Sequence, residues 1–116
     1  MTMIKAIDLF SGGGGVSIGL TQAGFKIACA VEIDKDAVKA YKGYHLLKDV
    51  SVIERDICEI SGAALLKTAR LNKNALYLLA GCPPCQKFSL QNRINNLDED
   101  NIDEVKKILM QFKSII

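Results

Sequence analysis

The sequence predicts an α/β protein with a mostly parallel sheet, and three observations carry that expectation. Short apolar runs at residues 4–9, 26–31, 50–55 and 75–80 alternate with stretches whose apolar residues recur at helical spacing. The first run leads into four successive glycines at positions 12–15, and the fourth leads into Pro83-Pro84, which are the only two prolines in the chain. Strands alternating with helices at this spacing build parallel sheets with right-handed crossovers, so the segments that follow the strands are expected on one edge of the sheet.

Residues 4–9 read as a short buried strand that runs directly into Phe10-Ser11-Gly12-Gly13-Gly14-Gly15. Val16, Ile18, Leu20 and Ala23 then mark a helix that Gly24 ends. Successive glycines let a backbone turn tightly and approach a ligand closely, and amides at a helix start favour a polar or anionic group. A glycine cluster alone is equally compatible with a plain tight turn. The dinucleotide pattern G-x-G-x-x-G is not met, because Ser17 or Ile18 stands where the third glycine belongs, and a nicotinamide cofactor is therefore not supported.

The second strand, residues 26–31, is followed by Glu32-Ile33-Asp34 and a helix over residues 35–44 for which Asp34 is the expected N-cap. An acid at the end of the second strand, about twenty residues past a glycine turn, is placed to accept hydrogen bonds from ribose hydroxyls, and Glu32 fits that position. Residues 50–55 are a weaker third strand ending at Asp56-Ile57. A helix over residues 61–70 carries Ala63, Ala64, Leu65, Leu66 and Ala69, and the fourth strand follows at 75–80.

That strand delivers Gly81-Cys82-Pro83-Pro84-Cys85-Gln86-Lys87-Phe88-Ser89. Proline fixes its own φ and extends the residue before it, so the pair presents the Cys85 thiol in a narrow range of directions, as suits a nucleophile. Cys82 and Cys85 also spell C-x-x-C, a redox pair or half of a zinc site. A zinc site needs four ligands, and Cys29, Cys58 and His45 are scattered singly, so no metal is expected. A redox motif would open a helix, whereas residues 86–96 are polar and aperiodic, like a loop. Beyond them, acidic residues at 98–100 precede Ile102, Val105, Leu109, Phe112 and Ile116, which form one apolar helical face. The chain stops at Ile116 without a following strand, and residues 1–116 are read as a single partial domain.

With 116 residues, 49% of them hydrophobic, one small core is the expectation. A net charge of +2, with Lys and Arg spread along the chain, neither demands nor excludes nucleic acid. The first ten residues lack the long apolar core of a signal peptide, and no apolar run approaches a membrane span. Four cysteines without framework spacing fit a reducing cytoplasm.

Together these residues resemble the cytosine-5 DNA methyltransferase family. The stretch Asp8-Leu9-Phe10-Ser11-Gly12-Gly13-Gly14-Gly15 matches the family's first motif, Glu32-Ile33-Asp34 with Ala37 and Tyr41 the second, and Arg55-Asp56-Ile57 the third. Pro83-Pro84-Cys85-Gln86 with Phe88-Ser89 matches the catalytic motif. The resemblance implies a Rossmann-like S-adenosylmethionine-dependent methyltransferase fold, truncated after about four strands. It implies Cys85 as the thiolate that adds to carbon 6 of cytosine, so that carbon 5 can take the methyl group of S-adenosylmethionine. It implies Phe10 as the aromatic that meets adenine, the turn from Gly12 through Gly13 and Gly14 to Gly15 as the cradle for the methionine part, and Glu32 as the ribose anchor, with Ser11 and Ile33 also on the cofactor. Asp56 and Ile57 then become adenine contacts, and Pro84 borders the cofactor. The target base must be flipped out of double-stranded DNA, with Gln86, Ser89 and Arg93 as expected DNA contacts, the last two to phosphate.

Departures from the family pattern shape the expectation further. Neither the Glu-Asn-Val motif nor the Gln-x-Arg-x-Arg motif occurs in these 116 residues, so this chain is not expected to methylate DNA alone. Alternatives are an RNA cytosine-5 methyltransferase of the same family, a C-x-x-C redox module, and a non-catalytic remnant. A restriction endonuclease partner, a cytoplasmic location, no membrane association and self-association through an uncovered fourth strand complete the reading.

Overall fold

In a computed structural model, which describes residues 3–72 and 74–82, all four expected strands share one sheet. They are β1 (Lys5–Leu9), β2 (Lys26–Val31), β3 (Val52–Ile53) and β4 (Tyr77–Gly81), every pair parallel and in the order β3-β2-β1-β4. Three helices connect them: α1 (Gly15–Gln22), α2 (Lys35–Gly43) and α3 (Gly62–Thr68). The loop expected at 86–96 and the apolar helix at 102–116 lie outside the described residues.

The strand order dictates which face each helix covers. From β1 through β2 to β3 the chain steps one way across the sheet, and it then crosses back to place β4 on the far side of β1. A right-handed crossover in the reverse direction must run over the opposite face. Accordingly, Leu65, Leu66 and Ala69 of α3 pack with Ile7, Leu9, Cys29 and Val31 on one face, together with Ile57 and Ile60. On the other face Tyr41 of α2 and Leu47 pack with Ala30, supported by Ile18 of α1. The register of β1 against β2 slips between Ala6 and Ile7, leaving Ala28 without an opposite residue. The slip pairs Ile7 with Cys29 and Leu9 with Val31, so the four side chains that meet α3 lie in two facing pairs.

Local chemistry sets the element ends. Asp34 accepts from the Asp36 amide at 3.1 Å and caps α2, as expected, and Ser61 accepts from the Ala64 amide at 3.1 Å to cap α3. Both β3 and β4 start two residues later than the sequence suggests. The Val50 amide is turned back onto the Leu47 carbonyl, which keeps Val50 out of the ladder and leaves β3 two residues long. In the same way the Ala75 amide bonds the Asn72 carbonyl in a turn, and β4 starts at Tyr77. Short 3-10 turns at His45–Leu47 and Ile57–Glu59 were not expected from periodicity, which three residues are too few to display.

Candidate cofactor site

In open α/β sheets a ligand crevice forms outside the strand carboxyl ends, where the strand order reverses. Here that point lies between β1 and β4. Leu9 pairs with Gly81 on one side and with Val31 on the other, so the glycine turn, Glu32 and Cys82 all emerge from one row of the sheet. Cys82 is exposed. Pro84, Cys85, Gln86, Ser89 and Arg93 lie outside the described residues.

The turn after β1 is built from left-handed backbone. Phe10 has φ +55°, rare for a residue with a side chain, and Gly12 (+55°) and Gly14 (+104°) continue the pattern. The Ser11 amide extends the β1–β2 ladder by donating to the Val31 carbonyl at 3.0 Å, and the Gly14 amide closes the turn on the Ser11 carbonyl at 3.1 Å. Phe10 is half-buried and packs on the core beneath. A methyl group added at Gly12 or Gly13 would meet no atom within 4 Å, so both glycines border open space. Gly14 differs. There the added carbon would lie 2.7 Å from Leu47 Cδ1 and 3.1 Å from Tyr41 Cδ2. Gly12 and Gly13 thus leave room for a ligand, whereas Gly14 leaves room for the protein.

Glu32 binds the two turns of the site together. Its Oε1 accepts from the Gly12 amide at 2.8 Å, while Oε2 accepts from the amides of Ile33 at 3.0 Å and Asp34 at 2.9 Å. A carboxylate offers about four acceptor positions, so capacity for a ligand hydroxyl remains. Ile33 beside it is 62% exposed, a large apolar side chain held at the mouth of the site. Asp56 is half-buried and spends one oxygen on the Cys58 amide at 2.9 Å. The Ile57 side chain is only 4% exposed, within the core under α3, so any ligand contact from it falls to its backbone.

A buried chain of hydroxyls beneath the turn has no counterpart among the sequence-based expectations. The Tyr41 hydroxyl donates to Ser17 Oγ at 2.7 Å, and the Ser17 hydroxyl donates to Asp8 Oδ2 at 2.6 Å. All three side chains are fully buried. Burial pushes the Asp8 carboxyl above its ordinary value, with Glu32 adding to the rise, while the hydroxyl and amide of Ser17 oppose it. Burial also pushes Tyr41 up to about 12. Ser17 stands in the first turn of α1, whose N-cap residue Gly14 has no side chain to offer. The available signal was Ser17 itself, a small hydroxyl at the position where a dinucleotide turn has glycine.

Elsewhere, Cys29 is buried in β2 and its thiol is pushed up to about 11, which makes it an inert core group. Among the described residues no cluster of three or more His, Cys, Asp or Glu is placed to hold a metal, and no helix is long and apolar enough to cross a membrane. The Glu32 carboxylate and the open Gly12-Gly13 turn suit an organic cofactor with hydroxyls and polar groups. Ser11 fits this too, being 5% exposed with an Oγ that finds no partner among the described residues.

A parallel sheet in this order, with a glycine turn and an acid meeting at its switch point, defines the Rossmann-like fold of S-adenosylmethionine-dependent methyltransferases. A TehB-like S-adenosylmethionine-dependent methyltransferase from Corynebacterium glutamicum shares the fold at a TM-score of 0.60, over 100% of this chain and 50% of that one, with 12% identity. The chain belongs to the C-5 cytosine-specific DNA methylase family, whose model matches residues 4–116. It is 40% identical to the Type II methyltransferase M.AquIA of Picosynechococcus over 82% of this chain and 38% of the relative. It is 33% identical to M.XorII of Xanthomonas oryzae over 97% of this chain and 27% of that protein. Among solved structures, a prophage-encoded E. coli protein, a candidate DNA modification methyltransferase, aligns at a TM-score of 0.67 with 27% identity, over 97% of this chain and 28% of that one. The chain thus spans well under half the length of these two curated relatives.

Proposed function

We propose that this chain is the cofactor-binding and nucleophile-bearing portion of a DNA (cytosine-5-)-methyltransferase that binds S-adenosylmethionine at the β1–β4 switch point. The observation that carries this reading is the meeting, in one row of the sheet, of the open Gly12-Gly13 turn, the Glu32 carboxylate and the strand that leads to Pro84-Cys85. In this reading Ser11, Gly12 and Gly13 hold the methionine part and Glu32 accepts from the ribose. Phe10 and the exposed Ile33 border the adenine, with Asp56 and the Ile57 backbone at its edge. The bound cofactor would supply an electrophilic methyl group. Cys85 is the proposed nucleophile toward carbon 6 of a flipped cytosine, with Gln86, Ser89 and Arg93 on the DNA. The Type II designation of the relatives supports a restriction endonuclease partner and a cytoplasmic setting.

Calorimetric titration of the chain with S-adenosylhomocysteine tests the cofactor assignment. Saturable binding that weakens at least tenfold in Glu32→Ala is expected. A folded chain that shows no binding, or a Glu32→Ala variant that binds as tightly as the parent, would overturn it.

A further inference from the structure

We propose that Tyr41, acting through Ser17 and Asp8, is a positioning residue that holds the glycine turn in register with the Glu32 turn. The two turns belong to different βα units, and beyond the sheet ladder, which Ser11 extends to Val31, two linkages join them among the described residues. One is the Gly12 amide on Glu32 Oε1, at the surface of the site. The other runs underneath. From α2, the helix that Asp34 opens, the Tyr41 hydroxyl reaches Ser17 in the first turn of α1, and Ser17 reaches Asp8 in β1, over distances of 2.7 and 2.6 Å.

The Tyr41 ring also lies where a side chain at residue 14 would be, 3.1 Å from the position of an added carbon. The ring therefore sets where the turn ends, and the hydroxyl sets how α1 leaves it. A ring that only filled the core would need no hydroxyl, and a buried hydroxyl without a partner is costly, so the hydrogen bond ties the position of α2 to that of the turn. The consequence for cofactor affinity rests on the reading given above, while the holding of the turn does not.

Amide hydrogen exchange and S-adenosylhomocysteine titration on the full chain separate the two. Tyr41→Phe keeps the ring and removes the hydroxyl, and Ser17→Ala cuts the chain at its middle. Both variants should speed exchange of the Gly12 and Gly14 amides about three- to tenfold, the net worth of one hydrogen bond, while β1 and β2 amides keep their rates. The double variant should be no worse than Ser17→Ala alone, since the effect of Tyr41 passes through Ser17. Cofactor affinity should fall by a similar factor. Unchanged Gly12 and Gly14 exchange in both variants would overturn the proposal, as would a uniform rise across the whole sheet, which means general loosening of the core. If the parent chain binds no S-adenosylhomocysteine, the cofactor reading fails, and the exchange rates alone decide the role of Tyr41.

Discussion

The backbone amide of Gly12 donates to Glu32 Oε1 at 2.8 Å, joining two turns that lie twenty residues apart in sequence. Three amides converge on that one carboxylate, so Glu32 fixes the shape of the site before any ligand arrives. Hydrogen bonds to a charged group contribute about 1.5–3 kcal/mol each at most, and part of that is regained when water replaces the carboxylate at a half-buried position. Glu32→Ala should therefore lower unfolding stability by about 1–2 kcal/mol in urea titration, as well as weakening cofactor binding. A loss below about 0.3 kcal/mol would mean that the turns hold their shape without it.

Gly12 and Gly14 should respond differently to a single methyl group. Gly14→Ala forces a left-handed φ and a carbon 2.7 Å from Leu47 Cδ1, and a loss of about 2–4 kcal/mol is expected. Gly12→Ala meets open space and carries only the cost of its φ, about 1 kcal/mol. Its larger effect should be on cofactor affinity. Thermal unfolding and calorimetry on the two variants check the contrast, and equal destabilisation would refute it.

Asp8 gives a pH dependence of definite sign. Burial raises its folded pKa above 3.8, so between those two values the folded chain binds more protons than the unfolded one. Stability from this group is therefore greatest below its unfolded pKa and falls as pH rises through the folded value. The stability of the parent relative to Asp8→Asn should decline from about pH 4 upward, then level off. Urea titrations of both proteins across that range would show it, and an advantage for the parent that grows with pH would reverse the assignment.

At the end of α3, Arg70 has φ +56°. Its amide bonds the Lys67 carbonyl and the Leu71 amide bonds the Leu66 carbonyl, which is the pattern that Gly24 and Phe25 make at the end of α1. Arg70→Gly should raise stability by about 0.5–1 kcal/mol, because glycine adopts that conformation without strain. An unchanged or lower melting temperature would show that the arginine side chain has a role that its φ does not reveal.

Methyl transfer by the chain alone is a separate matter. With no Glu-Asn-Val motif in the sequence, the expected transfer of radiolabel from S-adenosylmethionine to DNA is no greater than that of Cys85→Ser. Turnover well above that control, on DNA or on RNA, would show that these residues suffice.

The sequence by itself determined the alternation of strands and helices, the cap at Asp34, and the family, because each is written in local spacing and residue type. The glycine turn and Glu32 could be picked out for the same reason: a run of glycines and an acid at a strand end leave marks within a few residues. The tertiary structure decided what depends on partners distant in the chain. Only the reversal of strand order at β1 brings Gly81 opposite Leu9 and places α3 on the far face. Only the packing of Tyr41 and Leu47 beneath the turn separates Gly14, which is crowded, from Gly12, which is open, although the letters are the same. Asp8, Ser17 and Tyr41 stand nine and twenty-four residues apart along their two links, and no periodicity connects them. A buried hydrogen-bond chain follows from three elements meeting in space, where low polarity makes each polar group need a partner.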